Sequence, residues 1–155
     1  SGSGGSWGIA SAPDPRYVAL ESQCRTVTFA SVADGTTIVE NVVLENDIWL
    51  MCENSQGEPV SLVIPDLPDP DPTDPMGSIS PKGRRLMISD ILGLTEANEI
   101  VVSIGSPAGG TLGAIDSTVP GTSESVFDFA SLTLVCTGKR TTPGDPTTGL
   151  IWKIV

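Results

Sequence analysis

Four aspartates, Asp66, Asp69, Asp71 and Asp74, share the run PDLPDPDPTDP over residues 65–75. Carboxylates are hard oxygen ligands, so such a cluster could hold calcium. A pair at fixed separation could also cleave a glycosidic bond as acid and base. The same run argues against both. Its five prolines favour extended polyproline geometry and oppose convergence. It lacks the glycine-turned D-x-D-x-D-G order of a calcium loop. Catalytic acids need rigid placement and a pocket that tunes them. The expected role of Asp66, Asp69, Asp71 and Asp74 is therefore an exposed recognition loop, with no metal and no cofactor.

Other reactive constellations fare no better. The chain has no His, which removes the commonest general base, pH switch and metal ligand. A nucleophilic Ser or Cys then lacks its usual base, and lysines are few: Lys82, Lys139 and Lys153. The glycine-rich stretch 105–110, GSPAGG, lacks the Lys and following helix of a phosphate loop. Arg84 and Arg85 could bind an anion, or could guard a sheet edge by charge. Cys24, Cys52 and Cys136 are odd in number and far apart, which predicts free thiols used as small apolar residues. No catalytic residues are assigned, and the chain is read as a non-enzyme.

Only 17% of residues are charged, yet the net charge is −11. Such a surface repels nucleic acid and anionic membranes, so neither is an expected partner. No apolar stretch is long enough to span a bilayer, and no basic-then-apolar leader is recognisable. The opening Ser1 to Ser6 reads either as a native start that has lost its Met or as an appended linker.

Residues 1–16 are rich in Gly, Ser and Pro and read as an extended arm. Trp7 and Ile9, with the adjoining Tyr17, could anchor that arm on another surface. Alternatively, Trp7 folds back on its own domain. Residues 17–155 are expected to form one domain with a core of Val, Ile and Leu, because aromatics are few. Residues 16–23 carry the only helical character.

The rest alternates apolar and polar residues in short runs, the signature of half-buried strands. Strands are expected at 26–29, 37–39, 41–44, 48–52, 59–64, 85–88, 99–104, 111–115, 125–129, 131–136 and 150–155. Residues 34–35 and 106–110 read as turns, 53–57 as a hairpin loop, and 139–149 as a second Pro/Gly-rich loop. Between 85–88 and 99–104, Asp90 and Asn98 can accept from backbone N–H groups, and Gly93 can take positive φ. The fold expected is all-β: about ten short, mainly antiparallel strands in a sandwich or β-prism-like unit.

The ordered pieces Val60-Ser61-Leu62-Val63-Ile64-Pro65, Asp90 to Asn98, Gly110-Thr111-Leu112-Gly113, Leu132 to Gly138 and Trp152-Lys153-Ile154-Val155 cover roughly residues 25–155. Together they resemble a repeat of small trimeric β-domains in tailed-bacteriophage virion proteins. Two features depart from that pattern: the 65–75 run lengthens the passage after Pro65, and 139–149 replaces a tight turn. The resemblance implies a homotrimer located in the virion, assembled in the host cytoplasm. Its partners would be other virion proteins, the major capsid protein or tail components. The role implied is a capsid-exterior decoration or head-fibre protein held by its N-terminal arm. The alternative is a tail-fibre or receptor-binding module, with 65–81 and 139–149 touching a host glycan or protein.

Overall fold

The computed structural model describes residues 24–29, 36–38, 48–70, 73, 80–105 and 112–155. The arm with Trp7, Ile9 and Tyr17, the helical reading of 16–23, the strand at 41–44, the turns at 34–35 and 106–110, and Asp71 and Asp74 all lie outside these residues.

The described chain is all-β, in two sheets. Its ten strands are β1 (Cys24–Thr28), β2 (Thr36–Ile38), β3 (Ile48–Glu53), β4 (Val60–Ile64), β5 (Arg85–Asp90), β6 (Ile100–Ile104), β7 (Ala114–Ile115), β8 (Glu124–Val126), β9 (Ser131–Arg140) and β10 (Leu150–Ile154). A single 3-10 turn, Glu96–Asn98, is the helical content among the described residues. The larger sheet runs β1-β3-β5-β9-β10-β7, and the smaller runs β2-β4-β6-β8.

From β1 to β8 each strand lies in the opposite sheet from the one before it. Successive described strands thus lie on opposite sides of the core instead of side by side. Strands two apart in sequence therefore stack side by side and point the same way. β1, β3 and β5 are parallel neighbours, as are β2, β4 and β6. Cys24 lies opposite Trp49, and Trp49 opposite Met87. Antiparallel pairing enters later: β8 on β6, β9 on β5, and β10 on β9. β7 returns to parallel pairing on β10.

This corrects the expectation of a mainly antiparallel unit. Period-two alternation shows that one face of a strand is buried, but it carries no information about the partner's direction. Residues 53–57 are likewise an arch between sheets and not a hairpin loop. β5 is interior, between β3 and β9, so Arg85 guards no edge.

The core forms where the two inner faces meet. Ile48, Leu50 and Cys52 of β3, Leu86 and Ile88 of β5, and Leu134, Cys136 and Trp152 meet Val60, Leu62 and Ile64 of β4 and Ile100, Val102 and Ile104 of β6. β-branched and leucine side chains suit this layer because they pack on a pleated surface. On the outer face Trp49 Nε1 donates to Ser89 Oγ (2.9 Å), which shares a 2.6 Å hydrogen bond with Ser131 Oγ.

Candidate functional site

The Pro-rich residues 65–70 follow β4, and the loop 141–149 follows β9, which runs four residues past its expected end at 136. The two leave different sheets, yet one side chain joins them. Arg140 ends β9 and is 7% exposed. Its Nη1 donates to Asp66 Oδ2 (3.1 Å) and to the Thr148 carbonyl (2.9 Å). Its Nη2 donates to the Leu67 carbonyl (2.9 Å) and to Asp69 Oδ1 (2.8 Å). Asp66 Oδ1 accepts from the Leu150 amide (2.8 Å). Guanidinium geometry suits this, since it presents several donors in one plane. Arg140 Nε is buried with no partner among the described residues.

Burial pushes the Asp66 carboxyl above its ordinary 3.8, against the opposite pull of the Leu150 amide and the Arg140 charge. Asp66 is thus half-buried and structural, not the exposed recognition residue expected. Asp69 fits that expectation better, with its side chain 46% exposed. Nothing in the 65–75 spacing signals the buried partner, because Arg140 lies far along the chain.

The second loop is braced internally. The Thr141 amide reaches the Gly149 carbonyl (2.9 Å), the Asp145 amide the Thr142 carbonyl (3.1 Å), and the Thr148 amide the Asp145 carbonyl (3.2 Å). Thr147 donates twice to Asp145, through hydroxyl and amide, and holds its carboxyl below 3.8. At the base of the loop, a Cβ on Gly149 would overlap the backbone of Leu112 and Gly113. Between the loops lies a cleft of ≈ 700 Å³, lined by Asp69, Thr118, Lys139, Arg140, Pro143 and Ile151 among others.

A second feature sits at the arch after β5. Asp90, 5% exposed, accepts from the amides of Leu92 (3.1 Å), Gly93 (3.1 Å) and Phe129 (3.2 Å). Gly93 has φ +69°, as expected, and a Cβ there would overlap the Phe129 ring. Asn98 behaves differently from expectation: its side-chain amide donates to the Asn54 carbonyl (3.1 Å) instead of accepting. Asp128 and Phe129 both have positive φ, 51° and 64°. This ends β8 at Val126, short of the predicted 129. Phe129 stands 69% exposed over Gly93, and Ile91 and Leu94 of the same arch are exposed as well. Non-glycine residues in this region are strained, and such strain persists only where the surroundings impose it.

The three cysteines are free, with Cys52 and Cys136 buried and Cys24 half-buried. Burial, then the neighbouring Asp90 charge, pushes the Cys52 thiol up to about 12, so it stays protonated. Among the described residues no group of three His, Cys, Asp or Glu side chains could hold a metal ion. Comparison with protein-family descriptions and with curated proteins finds no match to this chain.

Proposed function

We propose that the chain is a non-catalytic structural protein of a tailed-phage-type particle. It acts by surface contact as a capsid-exterior decoration or head-fibre subunit, and identical copies associate as a trimer. The observation that supports this reading is the rigid apolar tip. Asp90 fixes the backbone beneath Phe129, whose ring lies over Gly93 and is left 69% exposed, and Ile91 and Leu94 of the same arch are exposed too. Exposing that much apolar surface on a strained turn suits a contact surface. Asp90, Ile91 and Leu94 fall within the Asp90 to Asn98 segment that carries the resemblance to virion β-domains, while Phe129 reaches them from the turn before β9.

Labelling the chain on source particles and imaging them by electron microscopy tests the reading. Signal on the capsid exterior is expected; absence from particles would overturn it. Deleting residues 1–16 should abolish capsid attachment while the domain stays folded. Retained attachment would count against the arm. A second reading, a host-recognition module, is favoured by Arg140 gathering both loops around one cleft. On that reading the signal would lie on the tail.

A further inference from the structure

We propose that the cleft beside Arg140 binds a neutral carbohydrate. The proposal rests on reading the chain as a surface-contact protein, and most directly on the host-recognition version. Its volume, ≈ 700 Å³, is in the range of small-ligand sites, roughly 300–1,000 Å³. The polar anchor is Asp69. Arg140 takes one lone pair of Oδ1, and a carboxylate has about four acceptor sites. With its side chain 46% exposed, the rest of that carboxylate is reachable from the cleft. Adjacent sugar hydroxyls are donors of the right kind for it.

Asp66 alone already ties Arg140 to the Leu150 amide. Fastening the loops therefore does not require Asp69, whose placement calls for a different reason. Thr118 and Lys139 add donors to the cleft wall. Pro143, Pro146 and Ile151 supply apolar wall for the C–H face of a sugar ring.

Charge selects a neutral ligand. Asp69, Arg140 and Lys139 line the cleft, and Asp66 together with Asp69 neutralises the buried Arg140 guanidinium, while the whole chain is at −11. An anion would meet that overall field, and a small cation would meet the guanidinium. A polyhydroxyl ligand encounters neither. The loop bonds that brace 141–149 hold the site in shape before binding, which limits the ordering cost.

Saturation-transfer NMR on the full chain tests this, using lactose, maltose and N,N′-diacetylchitobiose as neutral probes and N-acetylneuraminic acid as the anionic one. At least one neutral disaccharide should bind at millimolar or lower concentration, with sialic acid silent. Asp69→Asn should weaken that binding about tenfold, the effect of one lost charge-assisted hydrogen bond. Thr118→Val, at an exposed position, should weaken it without touching the Arg140 tie. Glu96→Gln, in the 3-10 turn outside the cleft, should change nothing. No neutral binding, binding of the anionic probe alone, or equal binding by Asp69→Asn and Thr118→Val would each overturn the proposal. Any of these with the chain still found on particles would sink the cleft and spare the structural reading. Absence from particles with sugar binding intact would do the reverse.

Discussion

Gly93 shows how one residue can be fixed by two requirements at once. Its φ of +69° disfavours any side chain, and the Phe129 ring occupies the space a Cβ would need. Gly57 has a similar φ, +77°, with nothing within 4 Å. Gly57→Ala should therefore cost only the backbone term, about 1 kcal/mol. Gly93→Ala should cost about 2–3 kcal/mol, since Phe129 must also move. Urea unfolding of the two variants checks the difference. Arg140→Ala should cost about 3 kcal/mol by leaving Asp66 and Asp69 without their counter-charge. Asp66 also sets a pH signature. Its folded value lies above the ordinary 3.8, so the folded chain holds that proton more tightly than the unfolded chain. Asp66's contribution to stability thus declines as pH rises from below 3.8 through the folded value. Asp116, held below 3.8 by Lys153, and Asp145 act oppositely, adding stability that is lost as pH falls through their folded values. Asp66→Asn removes the first effect. Its stability relative to the unsubstituted chain should rise with pH across the acid range, and urea unfolding at successive pH values reads this directly.

At the scale of elements, alternation located the strands well and their partners badly. The runs at 48–52, 59–64, 85–88 and 99–104 appear as β3 to β6 with ends shifted by a residue or two. Each has one fully apolar face, such as Ile100, Val102 and Ile104, and that pattern is local. Sheet membership is not local, because it depends on whether a connection turns back or arches over. Asn54 shows what decides it at 53–57. Its side-chain oxygen accepts from the Gln56 amide, while its nitrogen donates to the Glu58 and Glu99 carbonyls. One buried amide therefore pins both the β3–β4 arch and the approach to β6. A polar Asn in a polar loop gives no sign of this before the partner at Glu99 is known. The cleft was half legible: composition marked both loops, but not the Arg140 that joins them. The stacked-arch topology predicts that central rungs matter most. Ile88, fully buried on β5, contacts the core between two paired neighbours. Ile88→Ala should cost about 3–4 kcal/mol, within the range for a large core truncation. Met87→Ala, on the outer face of the same strand, should cost less than half of that. Thermal or urea unfolding that gave equal losses would contradict the inner and outer assignment of β5.

The whole molecule must reconcile an apolar tip with a surface at −11. Copies of this chain repel one another at long range, so the proposed trimer has to form through short-range contacts strong enough to overcome that field. Phe129, Ile91 and Leu94 offer such a contact, and the backbone beneath them is already fixed by Asp90. A rigid aromatic loses little entropy on docking, so it concentrates binding energy in few atoms. Two consequences follow for the 16.0 kDa chain. Static light scattering should give three times that mass at micromolar concentration, and the trimer should strengthen with added salt as repulsion is screened. Phe129→Ala should weaken each interface by about 2 kcal/mol, roughly thirtyfold in affinity. It should leave the fold intact, because the ring is mostly in solvent. Phe129→Glu should go further by adding like charge. A trimer that weakened with salt would point to ion pairs instead of the tip. A monomer at every concentration would remove self-association, and with it the reason for holding Phe129 in so strained a turn.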